Sequence, residues 1–144
     1  MSKQAGRSPL LDRWLDIRAV SLDGDATLWD FERVMHHSLG YALAELRRRR
    51  PSPATDELTI ERLIAIRNQV ARQLKGQIIN LEKVRLRAFQ RTVECAGGGD
   101  NALAADLNAL YLEHRFEDIE LYPDVIPTLD ALAPGEPAAR LACL

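Results

Sequence analysis

Residues Ile17 to Phe31 read IRAVSLDGDATLWDF, and this stretch decides the fold. Within IRAVSL four of six residues are apolar, and the run is short and bounded at once by Asp-Gly-Asp, which predicts a buried strand ending in carboxylates. In open α/β sheets, ligands bind at the carboxyl ends of the strands. Asp23 and Asp25 are two apart, so an extended backbone would project both to the same side. Carboxylates held together repel, and a divalent cation or a shared proton is the usual relief. The segment therefore predicts an acidic site for a metal and a nucleophile.

Two other readings of the same acids were weighed. An EF-hand loop starting at Asp23 needs Gly at its sixth position and Glu at its twelfth, where this chain has Leu28 and Val34. That excludes the calcium loop. The plain alternative is an Asp- and Gly-containing turn that only leads into the next helix.

The stretch resembles the first motif of the haloacid dehalogenase-like hydrolases, a hydrophobic strand followed by Asp-x-Asp-x-Thr and an apolar residue. Here the motif is Asp23, Gly24, Asp25, Ala26, Thr27 and Leu28, with Trp29 after it. Similar members read DGDGTLW or DGDDTLW, so Ala26 departs by removing a glycine or an acid from the turn. A second segment, Glu120-Leu121-Tyr122-Pro123-Asp124-Val125-Ile126-Pro127, resembles the family's re-entry into its core. Asp124 is placed to cap a short helix there, with Pro127 in the first turn, where no N–H partner is lost.

Between these segments the period is helical. Phe31, Val34, Met35, Leu39, Ala42, Leu43 and Leu46 share a face, and Pro51 with Pro53 ends that helix. A second helix is expected over Thr55–Leu74, with Thr55, Asp56 or Thr59 as cap and Gly76 as its break. Asn80 caps a third, Gly97-Gly98-Gly99 ends it, and Asp100 or Asn101 caps a fourth. The glycine run follows no strand and precedes no Lys-Ser/Thr pair, so it is a turn and not a phosphate loop. Four amphipathic helices must bury their apolar faces on one another. The run Arg47–Arg50 sits at a helix C-terminus, where cations meet the negative end of the dipole. His36 and His37 diverge by about 100° on a helix and cannot chelate together; His114 reads as a packing or surface histidine.

Composition narrows the class. A chain of 144 residues with 47% hydrophobic and 28% charged residues suits one globular protein. A net charge of −2 gives no electrostatic case for nucleic acid or a membrane surface. Cys95 and Cys143 are too few for a disulfide framework or a zinc site. No run approaches the roughly 18 apolar residues of a spanning helix, and the first residues lack the apolar core of a secretory signal. Cytoplasmic is the default expectation.

The expected architecture is thus α/β and mostly helical: a Rossmann-like core of haloacid dehalogenase type, only its first part present, with an inserted four-helix cap. Residues 1–12 form a leader beside which Leu11, Trp14 and Leu15 could add a helical turn; 13–30 form the first strand and acidic loop, 31–118 the cap, and 119–144 the return to the core. The resemblance implies that Asp23 is the nucleophile and Asp25 the acid and base. It also implies that Thr27 supports the loop, and that Mg²⁺ sits on Asp23 and Asp25 with a small phosphorylated metabolite as substrate. The second acid favours phosphate esters over dehalogenation, since the dehalogenase branch typically lacks it. After Leu132 the family's later Ser/Thr, Lys/Arg and acidic motifs have no counterpart; Pro134, Gly135 and Pro137 do not suit a central strand, and ARLACL is at most a strand beginning. The expectation is a truncated, poorly active hydrolase. Its rival is a non-catalytic helical interaction module that binds a partner, or itself, through the incomplete core.

Overall fold

The computed structural model of the chain describes residues 19–76, 80–132 and 140–143, the last four by backbone alone. The leader, the turn beside Leu11 and Trp14, and Pro134, Gly135 and Pro137 lie outside the described residues. Two compact units are formed, one from residues 1–31 with 120–144 and one from 32–119.

In the first unit, strand β1 (Ala19–Leu22) pairs in parallel with β2 (Arg140–Cys143), Ala19 opposite Arg140 and Leu22 opposite Cys143. A parallel pair requires a long crossover, and helix α6 (Val125–Leu132) lies on the return path of the chain. ARLACL, expected to yield at most a strand beginning, supplies the second strand. β1 alternates, with Ala19 and Ser21 exposed and Val20 and Leu22 half-buried, so it is not the fully buried strand the sequence suggests. Among the described residues the sheet has two strands, too few to cover both faces of β1. At the start of α6 the Asp124 carbonyl accepts from the Thr128 amide at 3.0 Å, and Pro127 falls in the first turn as expected.

The second unit is helical. Helix α1 (Phe31–Arg49) runs through Gly40 and ends ahead of Pro51. The expected helix over Thr55–Leu74 is in fact two: a single turn α2 (Pro53–Asp56) and a full helix α3 (Ile60–Leu74). Two caps compete for this segment and both win. Ser52 accepts from the Thr55 amide, and Thr59 accepts from the Arg62 amide at 3.2 Å, which forces an extended residue between the helices. Leu58, inside that break, is buried. Helix α4 (Leu81–Cys95) is capped by Asn80 and stopped at Gly97 and Gly98, whose φ values of 109° and 131° suit glycine. Helix α5 (Asn101–Glu113) is capped by Asp100.

These helices close a core. Ile66 and Val70 of α3 pack with Val84 and Ala88 of α4, while Phe89 meets Tyr111 of α5 edge to face at 5.9 Å. Leu46, Val93, Leu103 and Leu107 are fully buried. The buried hydroxyls of Ser38 and Thr92 return hydrogen bonds to the carbonyls of Val34 and Ala88, so neither costs an unmade bond.

The arginine run belongs to this architecture. Arg47 donates to the Leu58 carbonyl at 2.8 Å, Arg48 pairs with Glu45, Arg49 with Asp106, and Arg50 reaches Asp100 and the Gly98 carbonyl. All four guanidinium groups are committed within the protein, tying the end of α1 to the segments around α2 and α5.

At the other end of the same unit, Glu117 serves two histidines. His114 Nδ1 lies 2.6 Å from Glu117 Oε2, and His37 Nε2 lies 3.6 Å from the same oxygen. Tyr41 stacks on His114 at 3.7 Å and meets His37 edge-on at 5.2 Å. Next to them Arg33 grips Asp118 through two nitrogens, at 3.1 and 3.2 Å. His114 is thus a packing histidine, and His36 is exposed while His37 turns inward.

The hydrogen bond from His114 is the largest cause that lowers the Glu117 carboxyl below its ordinary 4.5, and His37 adds to it. Asp118 is lowered in the same direction, chiefly by Arg33. A carboxyl with a lowered folded value stabilises the fold above its unfolded value, and that stability is lost as pH falls through the folded value. Glu117→Gln should therefore flatten the acid limb. Melting temperatures of the two chains are expected to differ near neutrality and to converge below about pH 4. A gap that persisted at low pH would show that ionised Glu117 is not what the histidines hold.

Candidate active site

β1 ends at Leu22, and the chain then forms a compact loop instead of extending the strand. The Gly24 carbonyl accepts from the amides of Thr27 (3.2 Å) and Leu28 (2.9 Å), and the Ala26 amide donates to the Trp29 carbonyl at 3.0 Å. Asp25 and Trp29 face each other as a bridge. Asp23 and Asp25 are therefore set by a turn and not by the alternation of a strand. The loop is also fastened to the re-entry segment of its own unit: the Tyr122 amide donates to the Leu28 carbonyl at 2.9 Å, and Trp29 pairs antiparallel with Leu121.

Each acid has one carboxylate oxygen engaged inside the loop. Asp23 Oδ1 accepts from the Gly24 amide at 3.0 Å, and Asp25 Oδ1 accepts from the Trp29 indole Nε1 at 3.1 Å. Asp23 is exposed and Asp25 is half-buried. Thr27 is exposed and takes part in the loop through its backbone amide.

The turn has a visible cost at Ala26. Its φ of 60° lies in the left-handed region, disfavoured for residues with a Cβ and natural for glycine, asparagine or aspartate. The substitution singled out in the sequence thus coincides with the one strained non-glycine backbone among the described residues. Gly24 has the opposite requirement. A Cβ there would lie 2.6 Å from Cζ2 of the Trp29 indole and nearer still to its Cη2, so the ring rests directly on the glycine.

Sequence reasoning placed Trp29 in the motif without a task. Its i, i+4 spacing from Asp25 and the neighbouring glycine were the available signals. Among the described residues no three His, Cys, Asp or Glu side chains come together in a way that could hold a metal ion, and no helix is long and apolar enough to cross a membrane. Cys95 is an exposed free thiol.

A crystal structure of a 2-haloacid dehalogenase from Pseudomonas syringae pv. Tomato DC3000 matches the chain with a TM-score of 0.59 and 25% sequence identity. The fold is haloacid dehalogenase-like. The match takes in 88% of this chain and 54% of the dehalogenase, so the chain spans about half the length of that structure. No protein-family model matches the sequence, and no curated protein does. A haloacid dehalogenase-like fold gives the acidic loop after β1 its setting, at the carboxyl end of a parallel strand.

Proposed function

We propose that the chain belongs to a hydrolase that uses Asp23 as nucleophile and Asp25 as acid and base on small phosphate monoesters, with the helical unit acting as a substrate-selecting cap. The observation that carries this reading is the loop itself, where two carboxylates are each oriented by an N–H donor at the end of β1.

Asp23 would attack phosphorus while the ester P–O bond breaks, forming an aspartyl-phosphate. Asp25 would deliver its proton to the departing oxygen, then take a proton from the water that attacks phosphorus. That second attack releases inorganic phosphate and restores the Asp23 carboxylate. The donors present are hard oxygens of the kind Mg²⁺ prefers; the exposed Asp23 carboxylate and the Asp25 backbone carbonyl would hold it. When bound, Mg²⁺ would offset charge on the phosphate oxygens.

The dehalogenase match favours a second reading, attack by the same Asp23 on the halogen-bearing carbon of a 2-haloacid. The presence of Asp25 supports phosphate chemistry, where the leaving oxygen needs a proton and a halide does not. A non-catalytic helical interaction module is the third.

One experiment separates them. The 144-residue chain is incubated with Mg²⁺ and a reactive aryl phosphate, or with a 2-haloacid, and the peptide bearing Asp23 is weighed after a single turnover. This readout tolerates slow turnover, which is expected of these residues by themselves. A phosphoryl adduct on Asp23, absent in Asp23→Asn, is the expected result. A carboxyalkyl ester would establish the haloacid reading, and no adduct from either reagent would leave the interaction module.

A further inference from the structure

We propose that Trp29 is the positioning residue for Asp25, its indole N–H fixing the carboxylate that handles the proton. The inference rests on the hydrolase reading of the loop. Three observations meet at this side chain. The indole Nε1 donates to Asp25 Oδ1 at 3.1 Å. The indole plane lies on Gly24, so closely that the glycine cannot carry a Cβ without displacing it. The Trp29 backbone is held on both sides, by the bridge to Asp25 and by antiparallel pairing with Leu121.

Together these make the indole a strut with a fixed base, a supported face and one directed donor. A half-buried carboxylate on a turn has two soft torsions of its own, and a hydrogen bond from a rigid ring removes that freedom. Proton transfer requires the acid within hydrogen-bond reach of the leaving oxygen in the reactive geometry. The strut would hold Asp25 there before substrate arrives. Gly24 has a share in this, because any side chain at that position would push the ring, and with it the donor, away from Asp25.

The test uses two readouts on the full chain. Trp14→Phe leaves Trp29 as the single indole, and the indole N–H resonance is followed by ¹⁵N–¹H correlation with and without Asp25→Ala. A clear displacement of that resonance is expected, and an unchanged resonance would overturn the contact and the proposal.

The second readout is the single-turnover rate of adduct formation on Asp23. Trp29→Phe keeps the ring and removes the N–H. It should slow the reaction by roughly 10-fold or more, up to ~10²-fold, at saturating phosphate ester. The half-saturating concentration should stay within about twofold, since Asp25 acts on the leaving oxygen and not on binding. The loss should be larger for an alkyl phosphate, a poor leaving group, than for an aryl phosphate, and it should vanish in an Asp25→Asn background. Equal losses for both esters, or a loss that persists without the Asp25 carboxyl, would reduce Trp29 to a packing residue and overturn the proposal. Should the resonance move while neither chain forms any adduct, the hydrolase reading fails and the positioning role fails with it, leaving a purely structural contact. Far-UV circular dichroism checks folding of the variants.

Discussion

Leu46→Ala is expected to destabilise the helical unit by about 2–5 kcal/mol, the range for truncating a fully buried leucine. Leu46 is completely buried in the last turns of α1. The position is unforgiving for a second reason. Arg47, Arg49 and Arg50 follow it directly and reach the Leu58 carbonyl, Asp106, Asp100 and the Gly98 carbonyl. Those bonds hold the backbone in place, so the cavity left by the leucine cannot collapse, and incomplete collapse is what raises the cost of such substitutions. Against a typical total of about 5–15 kcal/mol this is a large share. A drop in melting temperature of about 10 °C or more is expected, given roughly 4–8 °C per kcal/mol for a unit of this size. Leu81→Ala is the matched control. Leu81 is 75% exposed at the start of α4, and its truncation should stay within about 0.5 kcal/mol. Urea titration followed by circular dichroism reads both. Equal effects for the two leucines would show that the end of α1 is not closed over a core.

Much of this helical unit was legible because its signals are local. Pro51 and Pro53 stop α1, Gly97 and Gly98 stop α4, and Asn80 accepts from the amide two residues on, as an N-cap should. The exception is instructive. Thr55–Leu74 reads as one helix because Ile60, Leu63, Ile64, Val70 and Leu74 keep the period, yet Ser52 and Thr59 both cap. Periodicity cannot show that two caps are satisfied in succession, because each cap is a geometric event. The arginine run shows the converse: its charges were readable, but the acids and carbonyls that engage it come from distant parts of the chain.

The candidate site was legible in its chemistry and not in its construction. The acids Asp23 and Asp25 announce themselves by type and spacing, and the fold they imply is the one found. Their geometry was misjudged, because alternation along a strand was extended one residue too far. The backbone leaves the strand after Leu22, and a turn with a left-handed residue takes over. Turns of this kind are fixed by hydrogen bonds back onto a single carbonyl, here that of Gly24, and by a ring arriving from four residues later. β2 escaped notice for a related reason. A four-residue strand flanked by prolines carries little periodicity, and its pairing with Ala19–Leu22 depends on a partner far away in sequence.

Within that loop, Gly24→Ala and Ala26→Gly should act in opposite directions. An added methyl at residue 24 meets the Trp29 indole at 2.6 Å or less, well inside contact distance, so the ring or the backbone must move. A flexible side chain would step aside at little cost. Trp29 cannot do so without giving up its bond to Asp25 and straining a backbone paired with Leu121. Overpacking of this kind typically costs about 1–3 kcal/mol, and misplacing the acid should slow adduct formation on Asp23 by up to ~10²-fold. At residue 26 the sign reverses. A φ of 60° costs an L-residue about 1–2 kcal/mol, whereas glycine adopts it freely and loses roughly 0.5–1 kcal/mol through its looser unfolded chain. Ala26→Gly should therefore be neutral to stabilising by about 1 kcal/mol, and its rate of adduct formation should equal or exceed that of the original chain. Paired melting and single-turnover measurements on the two variants decide the matter. If Gly24→Ala kept its rate, the indole could not be resting on the glycine; if Ala26→Gly lost stability, the left-handed turn could not be the conformation this loop adopts.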